Sequence, residues 1–441
     1  MERITATYYI ETPLDVEKAA SILAGEQSSG TFIAVPGETE ELKKRFAAQV
    51  ESVQMLDTAN APAIPGVIPK DARYQRALIK VSWSIENFGY NLPVMISTLQ
   101  GNLYELTQFT GLKLMDIDLP ASFSVHFAGP KFGIEGCRRL TNVYERPLIG
   151  TIIKPSIGLS PDETAALVHT LATAGIDFIK DDELLSSSAN SPFDKRVDAV
   201  MKVLNTHADK TGKMVMYAFN ISDELDQMHR NYEKVAKAGG TGVMVSLNSV
   251  GLTGAKKICD IGELAIHGHR NGWGMINRHP LLGIEFPAYQ KLWRLAGVDQ
   301  IHVNGIQNKF WESDDSVVRS IEACLKPLFN DTPHNTLKPE TRNSQPKTPN
   351  SQLPTPNSFS ILPVVSSGQW GGQAPETYRR TKTVDLLYMA GGGIMAHPDG
   401  PQGGVVALNQ AWQAAVAGLS IDEATKQYPE FGKSVTVFGK K

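Results

Sequence analysis

TIIKPSIGL at residues 151–159 and DFIKDDEL at 177–184 lie on either side of a segment with the pattern of a helix. In both stretches apolar residues run up to charged side chains, which is typical of buried parallel strands. The intervening segment opens with a serine, a proline and acidic residues and stops at Gly175, as helices commonly do. The three pieces predict a βαβ unit. Barrel enzymes hold their catalytic groups at the carboxyl ends of such strands.

The same pattern recurs along the rest of the chain. Most of the strand candidates are followed by a helical pattern, and eight such units over about 270 residues predict a TIM barrel. An open doubly wound sheet is the alternative, and the glycine-rich turn at the end favours closure. The eight candidates are PLIGTIIKP (147–155), DFIKDDE (177–183), MVMYAFNIS (214–222), GVMVSLNSV (242–250), GWGMINRHP (272–280), QIHVNGIQ (300–307), SILPVVSSG (360–368) and VDLLYMAGGG (384–393).

The first 140 residues mix two kinds of local pattern. ATYYIE (6–11) and RALIKVSW (76–83) read as strands, whereas VEKAASILAGEQS (16–28) has the apolar period of a helix. Strands mixed with helices over this length predict a small α+β domain. We therefore expect three parts, namely an N-terminal α+β, ferredoxin-like domain at 1–140, a TIM-barrel domain at 141–425 and a C-terminal tail at 426–441.

One segment of the predicted barrel departs from the pattern. Residues 330–359 are rich in Asn, Thr, Pro, Ser and Gln, and TPNS occurs twice. Such a composition buries too little apolar surface to order itself. We expect a disordered, dispensable insertion between the sixth helix and the seventh strand, on the face of the barrel opposite the catalytic loops.

Composition narrows the class of protein. The 43 basic and 46 acidic residues nearly balance and form no long basic run, which argues against a nucleic-acid or anionic-membrane partner. No stretch approaches about 20 uninterrupted apolar residues, and MERITATYYIE lacks the core of a signal peptide. The three cysteines show no metal-ligand spacing and are expected to be reduced. A cytoplasmic protein that acts on a small molecule is the prediction.

The charges after the second strand suit a hard cation. Asp182 and Glu183 offer carboxylate oxygens, which Mg²⁺ prefers. A free ammonium on Lys180 would repel the ion, so Lys180 fits only if it is paired elsewhere or converted to an anionic carbamate. A simple salt bridge at a strand end is the structural alternative. Lys154, on the neighbouring strand, could transfer a proton if burial lowers its pKa.

Other strand ends offer groups that bind anions. Lys309 follows the sixth strand and could stabilise an oxyanion or bind phosphate. Arg278 and His302 end the fifth and sixth predicted strands. The last two strands run into Ser366-Ser367-Gly368 and Gly391-Gly392-Gly393. Barrels often bind phosphate in these loops, because glycine lets the backbone approach the anion closely.

These motifs resemble a known family. GTIIKPSIGLS, GIDFIKDDE, GGGIMAHPDGPQGG and EQSSGTF are similar to signatures of the large subunit of ribulose-1,5-bisphosphate carboxylase/oxygenase (RuBisCO), over almost the whole chain apart from 330–359. The resemblance implies that Lys180 is carbamylated by CO2 and binds Mg²⁺ together with Asp182 and Glu183. It also implies that Lys154 is the enolising base and Lys309 the lysine of a mobile loop.

The resemblance extends to substrate binding and assembly. One phosphate would be held by Arg278, His302 and Ser366, and the other by Gly368, Gly391, Gly392 and Thr31. Glu26, Thr31 and Asn102 match residues that the N-terminal domain lends to the active site of the partner subunit. A homodimer is therefore the implied minimum unit, with a higher oligomer left open.

Several positions depart from the carboxylases. Ser156 replaces the second lysine of their KPK motif, and Asn277 is matched to a histidine at the end of the fifth strand. Phe32 replaces a tryptophan, and the sixth loop reads GIQNKFWE. Such changes are similar to those of the RuBisCO-like proteins (form IV), which do not fix CO2.

The implied function is that of a RuBisCO-like enzyme of the non-photosynthetic type. It would be a Mg²⁺-dependent enolase or decarboxylase, acting on a phosphorylated keto-sugar or 3-oxo sugar acid through an enediolate held on the metal. One alternative is the enolase of methionine salvage, which acts on 2,3-diketo-5-methylthiopentyl 1-phosphate. The others are a true ribulose-1,5-bisphosphate carboxylase and a catalytically silent scaffold or regulatory homologue.

Overall fold

The computed structural model describes residues 2–29, 36–66, 72–329 and 359–439. The chain divides into two compact units. The first consists of Met1–Phe127 and Gly272–Trp293 with a short segment that begins at Leu328, and the second of Ala128–Asn271, Arg294–Pro327 and the C-terminal part of the chain. Among the described residues, no helix is both long and apolar enough to cross a bilayer.

The strands fall into two sheets. In chain order they are β1 (Arg3–Thr12), β2 (Gln49–Ala59), β3 (Tyr74–Ser84), β4 (Gly111–Asp118), β5 (Leu148–Ile152), β6 (Phe178–Lys180), β7 (Met216–Asn220), β8 (Gly242–Ser246), β9 (Ala265–His269), β10 (Leu282–Ile284), β11 (Gln300–His302), β12 (Leu362–Val365) and β13 (Leu387–Met389). One sheet has five strands in the order β10-β4-β1-β3-β2, and the other is a closed barrel.

Helices connect these strands. They are α1 (Val16–Glu26), α2 (Glu40–Phe46), α3 (Leu92–Leu99), α4 (Phe123–His126), α5 (Gly133–Thr141), α6 (Pro161–Thr173), α7 (Phe193–Thr211), α8 (Leu225–Lys237), α9 (Leu247–Val250), α10 (Leu252–Cys259), α11 (Trp273–Asn277), α12 (Phe286–Ala296), α13 (Asp314–Leu325), α14 (Ala374–Thr381), α15 (Gly392–Met395), α16 (Gly400–Val416), α17 (Ile421–Gln427) and α18 (Pro429–Phe438). Short 3-10 turns occur at Ile85–Asn87, Gly101–Glu105 and Gly371–Gln373.

The first unit is an α+β domain built on an antiparallel core. β1 pairs antiparallel with β3 and β4, and β2 pairs antiparallel with β3. Alternate residues of β1, such as Ile4, Ala6 and Tyr8, are fully buried, while their neighbours are partly exposed. This period-2 burial is that of a sheet with one face covered by helices.

The second unit is a parallel (β/α)8 barrel. Its strand order is β5-β6-β7-β8-β9-β11-β12-β13, and β13 pairs with β5 to close the ring. Apolar side chains from different strands, including Phe178, Met216, Met244 and Leu387, form one buried cluster. The interior is therefore a packed core, and chemistry belongs to the loops at the carboxyl ends of the strands. The predicted fold class is confirmed.

One of the eight predicted strands is wrong. The fifth barrel strand is β9 (Ala265–His269), whereas the predicted strand at 272–280 contains helix α11 and belongs to the first unit. β9 was missed because its sequence, AIHGH, interrupts the apolar run with polar residues and a glycine. A Cβ on Gly268 would lie 2.8 Å from Val298 Cγ1, so close packing demands glycine in mid-strand.

The chain beyond α11 completes the first sheet. β10 pairs parallel with β4, with Leu282 opposite Leu112. The insertion predicted at 330–359 lies outside the described residues apart from Phe359, whose backbone oxygen accepts a hydrogen bond from Arg294 Nε at 2.7 Å. Its predicted disorder stays a prediction.

Candidate active site

The first two barrel strands bring two lysines to the mouth of the barrel. Ile152 of β5 pairs with Lys180 of β6, and Lys154 follows two residues after β5 ends. Lys154 Nζ donates hydrogen bonds of 2.7 Å to Asp182 Oδ2 and 2.7 Å to Ser156 Oγ. An ammonium group is thus held between a carboxylate and a hydroxyl, while about a third of its side chain (38%) stays exposed.

Lys180 is a buried amine. Its side chain has no exposed surface, and its Nζ donates to Asp181 O at 2.9 Å and contacts Met244 Sδ at 3.4 Å. Glu183 Oε2 lies 3.7 Å away. Burial lowers the pKa of Lys180 to about 8, although the charges of Glu183, Asp182 and Asp181 oppose the shift. The neutral form of this amine is therefore more populated near neutral pH than that of an ordinary lysine.

Asp182 is an ionised carboxylate. Burial works to raise its pKa, but hydrogen bonds from Lys154, the Leu184 N–H and Ser156 prevail and hold the pKa below its usual value. The Leu184 N–H donates to Asp182 Oδ1 at 3.1 Å. Asp182 therefore carries a negative charge at the barrel mouth across the physiological pH range.

Glu183 lies against the end of the fifth strand. Its Oε2 is 3.5 Å from His269 Nε2. Burial, helped by the positive charge of Lys180, holds the pKa of His269 well below its usual value, so the imidazole is neutral. Asn220, the last residue of β7, donates to the backbone oxygens of Asp182 and Glu183 at 3.3 Å each and fixes the turn that carries both carboxylates.

Asp181 has a structural role. Its carboxylate accepts hydrogen bonds from Tyr217 OH at 2.7 Å and from the Asn220 N–H at 3.0 Å, and it pairs with Arg196 at 3.2 Å. The Asp181 and Arg196 side chains are fully buried. The two adjacent aspartates therefore have different roles. Asp181 anchors the loop through its ion pair with Arg196, whereas Asp182 pairs with Lys154.

Two carboxylates alone do not make a cation site here. Within the described ranges, no three His, Cys, Asp or Glu side chains are grouped so as to hold a metal ion. Asp182 and Glu183 lie beside Lys180, which repels a cation as an ammonium and supplies an anionic oxygen ligand as a carbamate. Lys180, Asp182 and Glu183 therefore fit Mg²⁺ when Lys180 is a carbamate.

Loop six, residues 303–313, brings Lys309 next to the loop after β12. The Lys309 N–H donates to Ser367 O at 3.1 Å. Gly368 has a φ of +84°, and a Cβ there would lie 3.3 Å from Lys309 Cβ. Lys309 Nζ is 5.2 Å from the centre of the Phe310 ring. The two loops in which anion binding is predicted are therefore in contact.

A buried carboxylate fastens loop six at both ends. Glu312 accepts hydrogen bonds from Asn304 Nδ2 at 2.5 Å and Ser316 Oγ at 2.9 Å, and it pairs with Arg270 Nη2 at 3.0 Å. Ser367 Oγ donates to Asn304 Oδ1 at 2.6 Å. Asn304 and Ser367 both have left-handed backbones, with φ of 66° and 75°. This network joins the ends of strands five, six and seven.

The loop after the last strand runs beside Lys154. A Cβ on Gly391 would lie 4.0 Å from Lys154 Cε, while a Cβ on Gly392 would meet nothing within 4 Å. His302 and Ser366, at the ends of β11 and β12, are joined by a 3.0 Å hydrogen bond between Nδ1 and Oγ. The His302 ring is 4.4 Å from that of His269, which links this pair to Glu183.

Arg278 and Asn277 do not end a barrel strand. His269 and Arg270 occupy the end of strand five, so the inferred replacement of a strand-five histidine by Asn277 is wrong. Asn277 is buried in the first unit, where its Nδ2 donates to Ile284 O at 2.7 Å. Arg278 is the C-cap residue of α11 and also belongs to the first unit.

Asn220 and His269 were missed from the sequence. Both are the final residues of barrel strands, and this position is the signal that could have found them. His269 escaped because β9 itself was misplaced.

In the first unit, the segments of Glu26 and Asn102 lie side by side. Glu26 ends α1, and the Gln27 side chain packs on Gly101, where a Cβ would lie 2.6 Å from Gln27 Nε2. Thr31 and Phe32 lie outside the described residues. A cavity of about 590 Å³ adjoins Gly101, lined in part by Tyr104, Met275 and His279.

This barrel with a lysine-carboxylate cluster at the ends of its first two strands defines a class of enzyme scaffold, and comparison places it in a family. Residues 133–438 match the family model for the catalytic domain of the ribulose bisphosphate carboxylase large chain, and residues 2–123 match that for its N-terminal domain. The chain belongs to the RuBisCO large-chain family, which confirms the resemblance of the motifs.

Several relatives are similar over nearly their full length. The chain is 50% identical over 426 residues to the 3-oxo-isoapionate-4-phosphate transcarboxylase/hydrolase of Xanthobacter autotrophicus, covering 96% of this chain and 97% of that protein. It is 46% identical over 439 residues to the 3-oxo-isoapionate-4-phosphate decarboxylase of Rhizobium etli, covering 99% and 98%. Identity to the ribulose bisphosphate carboxylase of Pyrococcus horikoshii is lower, 31% over 441 residues, covering 99% and 92%.

Solved structures agree with this placement. A rubisco-like protein from Burkholderia fungorum superposes with a TM-score of 0.88 at 40% identity, covering 99% of this chain and all (100%) of that one. A dimeric archaeal RuBisCO from Hyperthermus butylicus gives a TM-score of 0.81 at 26% identity, covering 100% and 96%.

Proposed function

We propose that the protein decarboxylates a phosphorylated 3-oxo sugar acid, 3-oxo-isoapionate 4-phosphate. The observation that carries the proposal is the Lys154 ammonium, held 2.7 Å from Asp182 and from Ser156 at the barrel mouth. The 46% identical Rhizobium etli decarboxylase supports the choice of substrate. The lower identity to a true carboxylase argues against CO2 fixation.

Decarboxylation requires the protein to stabilise an anion and then to deliver a proton. The bond between the carboxylate carbon and its neighbour breaks, CO2 leaves, and the electron pair moves onto the adjacent 3-oxo group to give an enediolate. The anion must be stabilised, and a proton must then reach carbon to give the ketose phosphate. Lys154 Nζ, which donates hydrogen bonds to Asp182 and Ser156, is proposed to deliver that proton, which makes it a general acid at this step.

A metal ion would stabilise the charge. We propose that Lys180 takes up CO2 as a carbamate and holds Mg²⁺ together with Asp182 and Glu183. When bound, Mg²⁺ supplies Lewis-acid stabilisation of negative charge on a substrate oxygen. Support comes from the lowered pKa of Lys180, because only a neutral amine attacks CO2, and the carbamate forms as the nitrogen releases a proton. The 3.7 Å distance between Lys180 Nζ and Glu183 Oε2 also supports a ligand set shared by these two residues.

Phosphate binding and assembly follow the same reasoning. Lys309, Gly368, Gly391 and Gly392 lie in loops at the barrel mouth and are proposed to hold the phosphate, next to His302 and Ser366. Thr31 is expected to add a contact. Arg278 is left out of this proposal, because it belongs to α11 of the first unit and not to the end of a barrel strand. We further propose a homodimer in which Glu26, Thr31 and Asn102 serve the partner's site. The dimeric Hyperthermus butylicus relative is consistent with this assembly.

The test is direct assay of the full chain with 3-oxo-isoapionate 4-phosphate, following CO2 release and the ketose phosphate by NMR. We expect turnover that is lost with EDTA and restored by Mg²⁺. Lys154→Met should lower kcat by about 10²- to 10⁴-fold, the range for loss of a general acid. Lys202→Met, at an exposed position of α7, is the matched control. Equal turnover in the Lys154 variant would remove this residue as the proton donor.

A second candidate is the transcarboxylase/hydrolase activity, favoured by the 50% identity to the Xanthobacter autotrophicus enzyme. That name implies that the carboxyl group is transferred and a bond is hydrolysed. Substrate labelled with ¹³C in the carboxylate separates the two. Label that leaves as CO2 supports the decarboxylase, whereas label kept in a carboxylic acid product supports the second activity.

A further inference from the structure

A line of hydrogen-bonded side chains runs from the barrel core to the end of β12. Gln300 Oε1 lies 2.8 Å from His267 Nδ1, His267 Nε2 lies 2.9 Å from His302 Nε2, and His302 Nδ1 lies 3.0 Å from Ser366 Oγ. Each of these residues is at most 6% exposed. Neither Gln300 nor His267 is needed by the proposed chemistry, so their presence in an otherwise apolar core asks for a reason.

Both imidazoles are neutral. Burial lowers the pKa of His267 to about 3 and holds the pKa of His302 well below its usual value, with nearby positive charge adding to both shifts. A neutral imidazole has one N–H donor and one acceptor nitrogen. The line can therefore run in only two ways, with every hydrogen bond pointing either inward or outward.

Two sulfur atoms decide the direction. Gln300 Nε2 faces Cys137 Sγ at 3.1 Å and Met216 Sδ at 3.2 Å. A thioether has no hydrogen to donate, so the NH2 of Gln300 belongs on the side of Met216 and the carbonyl oxygen on the side of His267. His267 must then donate from Nδ1, which leaves its Nε2 as an acceptor.

The remaining protons follow one after another. Since His267 Nε2 accepts, His302 must donate from Nε2. His302 Nδ1 is then an acceptor, and the hydroxyl of Ser366 donates to it. We propose that Gln300 and His267 are positioning residues that fix His302 as its Nε2–H tautomer and turn the Ser366 proton inward.

This arrangement changes what the site offers to a ligand. His302 has no N–H left for an anion, because its single proton is bonded to His267. The Ser366 oxygen, with its proton turned inward, offers only lone pairs. Ser367 adds no donor either, since its hydroxyl proton is given to Asn304 Oδ1. A phosphate that meets His302 and Ser366 therefore finds acceptors, and its hydrogen bonds must come from other groups, such as Lys309.

Neutron diffraction on crystals of the perdeuterated full chain near pH 7.5 tests the proposal without any variant. We expect deuterium on His267 Nδ1, on His302 Nε2 and between Ser366 Oγ and His302 Nδ1. Deuterium on His302 Nδ1, or on both of its nitrogens, would overturn it. The result does not depend on the substrate, so it stands or falls separately from the proposed function.

A solution measurement adds a test of cause. In chain labelled with ¹⁵N-histidine, two-bond ¹⁵N–¹H spectra distinguish the two tautomers, and in the wild-type spectrum His267 should give the Nδ1–H pattern and His302 the Nε2–H pattern. Gln300→Leu should abolish this fixed pair and give averaged nitrogen shifts for His267. Gln227→Leu, on the surface helix α8, should leave the spectrum unchanged. A Gln300→Leu spectrum identical to the wild type would show that Gln300 does not set the tautomers.

Discussion

Lys180 is the residue at which stability and function conflict most openly. A fully buried ammonium lacks the hydration it has in the unfolded chain, and this is why its pKa falls to about 8. The nearest carboxylate atom, at 3.7 Å, compensates only in part. Such a group lowers the stability of the fold, and functional residues commonly do so.

Replacing Lys180 by Met should therefore stabilise the protein at neutral pH. The folded-state pKa lies below the unfolded one, so the cost is fully present below about pH 8 and disappears as pH rises toward 10.5. A difference of 2.5 pKa units corresponds to at most about 3 kcal/mol. Urea unfolding in CO2-free buffer at pH 7 and pH 10 measures the effect, with the exposed Lys202→Met as control. A variant equally destabilised at both pH values would show that the amine is not strained in the fold.

At the residue scale, the sequence predicts groups of residues that are adjacent in the chain better than groups that only folding brings together. Lys180, Asp182 and Glu183 stand together in the chain, and Lys154 ends the preceding strand, so their neighbourhood was predictable. Their division of labour was not, because only folding shows that Asp181 turns toward Arg196 and Asp182 toward Lys154. His269 lies nearly 90 residues after Glu183 in the chain, and no local sequence pattern predicts that the two side chains are close.

At the scale of elements, the stretch after β9 is the instructive case. Periodicity assigned 272–280 to the barrel, but three-dimensional pairing assigns it to the other sheet, where β10 adds to β4. Lys113 of β4 fastens this stretch, since its Nζ donates to Asn277 O at 2.8 Å and His279 O at 2.9 Å. It also pairs with Glu285 Oε1 at 2.8 Å. Pairing between strands far apart in sequence leaves no mark on local apolar patterns.

Lys113→Met should destabilise the first unit by about 2–4 kcal/mol, because one buried carbonyl, one partly buried carbonyl and a partly buried carboxylate lose their partner. Hydrogen exchange should show faster exchange at 277–285 before the rest of the sheet opens. Lys80→Met, at an exposed position on strand β3 of the same sheet, controls for the loss of a surface charge. Unchanged protection at 277–285 would mean that strand pairing alone holds the segment.

At the scale of the whole molecule, ligand binding at the proposed site is coupled to the stability of the barrel. β5, β6, β7 and β9 each contribute to the cluster around Lys180, so anything bound there by the folded chain alone also opposes unfolding of the barrel. The free energy gained is RT ln(1 + [L]/Kd), about 2.7 kcal/mol at a hundredfold excess over Kd. For a chain of this size that is a rise in Tm of a few degrees.

We therefore expect Mg²⁺ and bicarbonate together to raise Tm, and each alone to do much less, because the carbamate is the third ligand. Lys180→Met removes the carbamate and should abolish the joint effect while raising the starting Tm. Lys309→Met leaves the proposed ligands intact and should keep it. A rise that Mg²⁺ produces without bicarbonate, or that survives Lys180→Met, would place the ion elsewhere. Substrate turnover would then have to be explained by Lys154 and the loop cations without the carbamate.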